Sequence, residues 1–494
     1  MYIFGVWMDS LDRKQKRCCT SPFCWITNLD FDNSPVSHCV EHPYLVERFS
    51  RFESFIDNVL HKLSQYQQPL TRFRLCLGSD KTISYCYFDN NHTCKKACFP
   101  EPARLYAWIS YPLAQCSLRE LDLSFHVRNS SECKLPPEIF THQSLEVLRL
   151  DINLEIINGN NNEIPVICLP NLKLLHFRSF VFTEDDFLTR LVSNCPVLED
   201  LSIKCWWIKA DRLIITSNSL RRFVFVILKY HNEEKNSELV HINTPNLQYF
   251  KYEDMLAFNY ILHLNSLVEA CIDVRRPLQF DNFDTSFRKQ LSLLRALSNI
   301  KHLTLLGWSI EGFYYAAVLK DPLPMFSNLR TLKLDALCFS VCNAIWDIVL
   351  LLIFHRSPLL EELVFLQGFY YSVNDTSDTC DFHDRADSET ATFIAAWEGA
   401  SWGVTQTIPS CCQSHLKRIM IYNCHGRDQE LNMMKFLLGR ASVLKEFVIS
   451  MSKRPEGIQF DAPKFDKFKN ELEKIPRASN SCSIIYSDDE PNYN

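Results

Sequence analysis

Two stretches of the 494-residue sequence gather side chains of the kind that ligate metals or exchange protons. The first holds Cys86, His92, Cys94 and Cys98. Zinc takes four such nitrogen or sulfur donors in a tetrahedron, but the Cys and His spacings of the common zinc modules are absent, so no metal is expected there. The second holds Asp381, His383, Asp384 and Asp387, within a run from Asn374 to Thr390 rich in Asp, Ser and Thr. Acid–base and metal chemistry need groups held in place by their surroundings, and this aperiodic run reads instead as a solvated acidic linker. No GxGxxG or GxxxxGK[ST] pattern occurs, and there are only 11 glycines. Phosphate-cradling loops depend on glycine for close backbone approach and positive φ. The sequence therefore assigns no catalytic, cofactor-binding or metal residues, and the chain is expected not to be an enzyme.

Another set of polar residues recurs in a fixed relation to apolar ones. Glu120 and Asp122, Arg149 and Asp151, His176 and Arg178, Asp200 and Lys204, Lys251 and Glu253, and Lys333 and Asp335 occupy alternate positions beside leucines and phenylalanines. Successive side chains of a strand point to opposite faces, so Leu201 and Ile203 are expected to turn inward, and Asp200, Ser202 and Lys204 outward. The chemistry offered is recognition. A stripe of one sign would suit nucleic acid, whereas this mixture suits a protein surface with alternating charges of its own. These twelve residues form the candidate partner-binding set.

The elements that must position them follow from a repeated phrase, an apolar residue with others three and five positions later. It runs Leu118-Leu121-Leu123, Leu145-Leu148-Leu150, Leu172-Leu175-Phe177, Leu198-Leu201-Ile203 and Leu220-Phe223-Phe225. It continues from Leu247, Leu267, Ile300, Leu329 and Leu360, then from Leu416 and Leu444. Leu118 to Leu145, and Leu145 to Leu172, are 27 residues each, within the period of leucine-rich repeats. Between copies, Phe187, Leu188, Leu191 and Val192 make a helical face, begun by Thr183 with Asp186 three residues on and stopped by Pro196. The fold class is therefore an α/β leucine-rich-repeat solenoid, a curved parallel sheet with outer helices and loops, whose concave face carries the twelve residues. Upstream, Leu45, Phe49, Phe52, Ile56, Val59, Leu60 and Leu63 stripe one helix, and Leu70-Phe73-Leu75 opens the array.

Composition narrows the setting. A formal net charge of −6 supplies no basic field for nucleic acid. The apolar run Ile348 to Phe354 falls far short of the roughly 20 residues of a membrane span. The Met1 to Met8 run lacks the charged leader of a signal peptide, and the 21 cysteines are scattered without a disulfide framework. A reducing compartment, cytoplasmic and/or nuclear, is expected. The basic cluster Arg13 to Arg17 has the composition of a nuclear import signal but reads as a solvated turn.

The C-terminal residues carry a resemblance. Ser414 to Ile419, the helix ending at Phe436 to Leu444, and the close Ile475 to Cys482 resemble the FBD domain, and the preceding array is similar to that of plant F-box/FBD/LRR-repeat proteins. Trp25 to Asp32, Phe52 to Leu60 and Leu70 to Leu75 follow that family's order. The resemblance implies a target-recognition subunit of an SCF-type cullin ubiquitin ligase, binding a target protein on the concave face and performing no bond chemistry itself. The family's F-box, with the flavour LPxxLLxxILSFLP, is not found; Leu11 to Arg17 is read as a remnant of its end or the product of a shortened gene model. The Skp adaptor and cullin are thus expected as partners only if an F-box is supplied, the alternative being a free-standing scaffold or competitor. The expected divisions are an irregular segment at 1–40 (a possible F-box remnant), a helix and capping repeat at 41–104 and irregular repeats at 105–366. A polar linker at 367–408, an FBD-type β-α-β block at 409–487 and a disordered tail at 488–494 complete the chain.

Overall fold

A computed structural model describes residues 27–32, 43–66, 69–77, 100–125, 134–152, 155–156, 166–179, 181–182, 186–205, 207–208, 212–227, 239–255, 257, 259–275, 283–310, 323–335, 346–368, 408–426, 428–451 and 462–487. The basic cluster at 13–17, the Cys86, His92, Cys94 and Cys98 group, Thr183, the Asp381, His383, Asp384 and Asp387 group and the tail at 488–494 lie outside the described residues. The chain divides into two compact units, one of residues 1–184 and 190–208, the other of residues 185–189 and 209–494.

The first unit contains strands β1 (Asn28–Asp32), β2 (Arg72–Leu77), β3 (Glu120–Phe125), β4 (Val147–Ile152), β5 (Glu155–Ile156), β6 (Leu174–Arg178), β7 (Val181–Phe182), β8 (Asp200–Cys205) and β9 (Trp207–Ile208). β1, β2, β3, β4, β6 and β8 pair side by side in that order, all parallel. β5, β7 and β9 form a second small parallel sheet. The array opens one strand earlier than the phrase at Leu70 announces, because Leu29 and Phe31 alternate with Asn28, Asp30 and Asp32 and lay β1 on β2. Helix Pro43–Tyr66 buries Phe49, Ile56, Leu60 and Leu63, one stripe at helical spacing. Helix Pro102–Leu113 packs on it, the Trp108 indole donating to Asp57 Oδ1 at 2.7 Å and Arg104 reaching Glu53 at 2.9 Å.

The second unit contains β10 (Arg212–Thr216), β11 (Arg222–Ile227), β12 (Leu239–Asn243), β13 (Tyr249–Met255), β14 (Asn259–His263), β15 (Glu269–Arg275), β16 (His302–Leu305), β17 (Thr331–Leu334), β18 (Glu362–Phe365), β19 (Arg418–Cys424), β20 (Glu446–Met451) and β21 (Ser483–Ser487). β11, β13 and β15 to β21 pair in parallel in that order. β10, β12 and β14 form a small sheet of their own. The C-terminal block alternates β19, helix Asp428–Leu438, β20, helix Ala462–Glu473 and β21. This is an α/β leucine-rich-repeat solenoid architecture ending in an FBD-type block.

The phrase has a physical meaning in both units. Its first residue closes a turn, donating its N–H three residues back: Leu172 to Leu169, Leu198 to Cys195, Leu247 to Thr244, Leu329 to Phe326, Leu360 to Ser357 and Leu444 to Ala441. The next residue joins the ladder, and the two later apolar positions face the core. Leu121, Leu148, Leu175, Leu201, Phe223, Leu332, Ile419 and Phe447 are all fully buried. Helix Phe187–Ser193 buries Phe187, Leu188, Leu191 and Val192 as their spacing implies.

Candidate functional site

Strand register places the candidate residues in rows on the sheet face away from the core. In the first unit Asp122, Arg149 and His176 stand side by side on β3, β4 and β6, and Asp151, Arg178 and Lys204 on β4, β6 and β8. Glu120 and Asp200 occupy the leading positions of β3 and β8. In the second unit Lys251 and Lys333 share a row, separated by Cys271 and Thr304, while Glu253 lies opposite Asp273. Asp335 follows the end of β17 and donates its N–H to the Leu305 carbonyl at 3.0 Å. Arg178 is exposed, and the other eleven are half-buried.

The first-unit residues engage one another. The Arg74 guanidinium reaches Asp30 at 2.8 Å, Asp32 at 3.1 Å and Asp122 at 3.9 Å, binding β1, β2 and β3 through their side chains. Arg72 lies 3.4 Å from Glu120, and Arg178 3.9 Å from Asp151. The Ser179 hydroxyl donates to Asp151 at 2.8 Å. His176 Nε2 stands 3.2 Å from Asp200 but is not aligned for a hydrogen bond. Burial raises the Asp122 pKa above the ordinary aspartate value, while the Arg149, Arg74 and Arg72 charges pull the other way.

Alternation alone overstates how wet this face is. Ser202 sits at an outward position yet is only 7% exposed, and Val224, Val226, Val364 and Val448 are likewise buried at outward positions. Small or β-branched side chains there are screened by longer neighbours on adjoining strands. Sequence reasoning also passed over Asp30, Asp32, Arg72 and Arg74, which belong to the same face. Their signal is a further copy of the phrase, Ile26-Leu29-Phe31, in which the acids alternate with the apolar residues.

One constellation in the second unit has residue types used in nucleophilic catalysis. Glu430, with no exposed surface, takes the His425 N–H on its two oxygens at 3.1 and 3.0 Å, and Cys424 Sγ lies 3.5 Å from it. Cys424 is itself fully buried, and burial, followed by the Glu430 charge, pushes its thiol pKa well up, away from the thiolate a nucleophile requires. The carboxylate closes a tight join instead. Asn423 and Gly426 have φ of 54° and 69°, and a Cβ on Gly368, at φ 74°, would stand 3.1 Å from the Asn423 carbonyl oxygen. Among the described residues no group of three or more His, Cys, Asp or Glu is arranged to hold a metal, and no helix is long and apolar enough to cross a membrane.

Comparison with known proteins agrees with this architecture. A family described as FBD-associated F-box protein At5g56370, LRR repeats, matches residues 105–262, and the FBD family matches residues 405–449. F-box/LRR-repeat protein At4g14103 of Arabidopsis thaliana is 28% identical over 369 residues, covering 72% of this chain and 86% of that one. F-box/LRR-repeat protein At4g14096 of the same plant is 29% identical over 367 residues, 72% of this chain and 68% of the other. The putative F-box/FBD/LRR-repeat protein At3g59240, also from Arabidopsis thaliana, is 25% identical over 493 residues, 95% of this chain and 84% of its own. In its repeats and its C-terminal block the chain is thus similar to plant F-box/FBD/LRR-repeat proteins.

Proposed function

We propose that the chain is a non-catalytic target-recognition subunit of an SCF-type cullin ubiquitin ligase, gripping a target protein through the outward positions of its parallel strands. The observation that carries this reading is register. The phrase buries its third and fifth following residues, and the positions between and beyond them carry both signs: Asp122, Arg149 and His176 share one row in the first unit, while in the second Lys251 and Lys333 share a row and Glu253 and Asp273 stand side by side in the next but one along the strands. Such rows favour a partner whose own charges alternate, by rejecting mismatched ones. The contribution to ubiquitin transfer is proximity, which raises the effective concentration of target lysines near a separate conjugating enzyme. Relatives named as F-box proteins supply the ligase setting.

The test has two arms. Affinity purification from plant extract with the full chain and with the triple variant Arg149→Glu, His176→Ala, Lys251→Glu should recover a protein with the first and lose it with the second, at equal thermal stability. An identical set from both would sink the assignment of the face. Co-purification of the Skp adaptor with the chain supports ligase assembly, and its failure to bind leaves a free-standing scaffold or competitor as the function.

A further inference from the structure

A separate row of side chains lies one residue ahead of the strands, where the backbone ladder begins. In the first unit it runs Thr27, Thr71, Arg119, Glu146, Lys173 and Glu199, each N–H donating to the carbonyl of the residue before it at 2.7–2.8 Å. In the second it runs Arg221, Gln248, Val268, Lys301, Arg330, Glu361, Lys417 and Lys445, linked by the same bond at 2.8–3.0 Å, and ends where Ser483, the first residue of β21, donates to Lys445 at 2.9 Å. The charges of the two rows differ. In the first, signs alternate, and Glu146 is met by Arg119 at 3.0 Å and Lys173 at 2.8 Å. In the second, four cations from Lys301 to Lys445 share one carboxylate, Glu361, held by Arg330 on one side and by Lys417 at 3.3 Å on the other.

All four cations are exposed. Among the described residues Lys301 and Lys445 enter no ion pair, and the acids at the next position, Glu362 and Glu446, are taken by Arg418 at 3.5 and 3.0 Å. Neighbouring strands stand about 4.8 Å apart, so Lys301 and Lys445, four strands from each other, are separated by about 19 Å. An extended chain rising about 3.3 Å per residue covers that distance in about six residues.

We propose that this row, which crosses from the last repeats into the FBD block, docks an acidic extended segment of another protein, with carboxylates towards both its ends and a neutral or basic residue over Glu361. Charge complementarity selects the occupant: two exposed lysines without acidic partners flank a central triplet that is already internally satisfied. A nucleic acid fits less well. Its backbone is uniformly negative and would meet Glu361 midway, and the row from Lys301 to Lys445 offers no aromatic ring for a base to stack on. The row shares no residue with the twelve of the face, so the two surfaces stand or fall separately.

The probe is a labelled seven-residue peptide with two glutamates at each end and a central lysine, titrated against the full chain by fluorescence anisotropy at low ionic strength. Saturable binding is expected, weakened at least about tenfold in Lys301→Glu/Lys445→Glu and left within about twofold by Lys173→Glu in the balanced row. Thermal denaturation of each variant confirms that the fold is intact. Absence of saturable binding, or equal affinity in the double variant, overturns the proposal. So does a single-stranded oligonucleotide of similar length that binds the same row more tightly than the peptide, which would make it a nucleic-acid site.

Discussion

In the first unit, adjacent strands meet on their outward side as opposite charges, whereas in β11 and β13 of the second they meet on their inward side, ring on ring. Arg74 joins three aspartates across β1, β2 and β3. By contrast Phe223 stacks on Phe250 at 5.8 Å and 21°, and Phe225 on Tyr252 at 5.8 Å and 14°. The same phrase underlies both regions. It requires an apolar residue at each core position without fixing which one and leaves the intervening positions open, so rings can take the place of leucines inward while charges vary outward. The two kinds of contact also differ in worth: exposed ion pairs contribute about 0–1 kcal/mol each, while burying an aromatic ring contributes several.

The comparison breaks most readily at the rings. Phe250 is 1% exposed and lies against both Phe223 and Tyr252. Phe250→Ala should destabilise the chain by about 3–5 kcal/mol through lost burial and the cavity left behind. Urea denaturation measures this, and a loss no greater than that of an exposed charge variant would show that the inward contacts are not what holds β11 to β13. A buried carboxylate in the second unit should rank next. Glu430→Ala leaves the His425 N–H without its acceptor in a closed site, an expected loss of about 2 kcal/mol by the same measurement.

Glu430 also shows where the sequence stops being readable. The inward residues were legible because each copy of the phrase is an independent statement of one rule, and Leu201, Ile203 and Ile419 lie in the core where it puts them. The helix at Phe187–Ser193 was legible for the same reason. The join of Gly368, Asn423, Gly426 and Glu430 was not, because it brings together residues up to 62 positions apart whose backbone angles no local pattern announces. For the candidate face, the sequence supplied membership but not pairing. Asp122 reads as an outward acid, but that Arg74 reaches it while also holding Asp30 and Asp32 depends on strand order, which lays β1 on β2 and β2 on β3 across 42 to 48 residues of sequence.

That lattice sets the third expectation. Arg74→Ala removes the one cation shared by three carboxylates and should cost about 1 kcal/mol at low ionic strength. In 1 M salt, where the screening length falls to about 3 Å, the difference from the parent should shrink by about half or more. The Phe250→Ala difference has no such screening. If both variants kept their full effect in salt, Arg74 would be stabilising through packing of its methylenes rather than through charge.

The smallest effects distinguish two acids of the first unit by sign. The Lys173 hydrogen bond, helped by the Lys173 and Arg119 charges and opposed by partial burial, holds the Glu146 pKa below the ordinary glutamate value. A carboxylate lowered by folding contributes stability above its unfolded pKa and loses it as pH falls through the folded one. Glu146→Gln should therefore be slightly less stable than the parent at pH 7, by under about 1 kcal/mol, and indistinguishable from it at pH 3. Asp122 is shifted upward, chiefly by burial, so its ionisation opposes folding and acid relieves the opposition. Relative to the parent, Asp122→Asn should gain stability as pH rises from 3 to 7, the reverse of Glu146→Gln. Denaturant midpoints at the two pH values read both differences. Curves moving in the same direction would mean that Arg149, Arg74 and Arg72 outweigh burial at Asp122, and that the outward charges of the first unit act as one balanced set with its leading row.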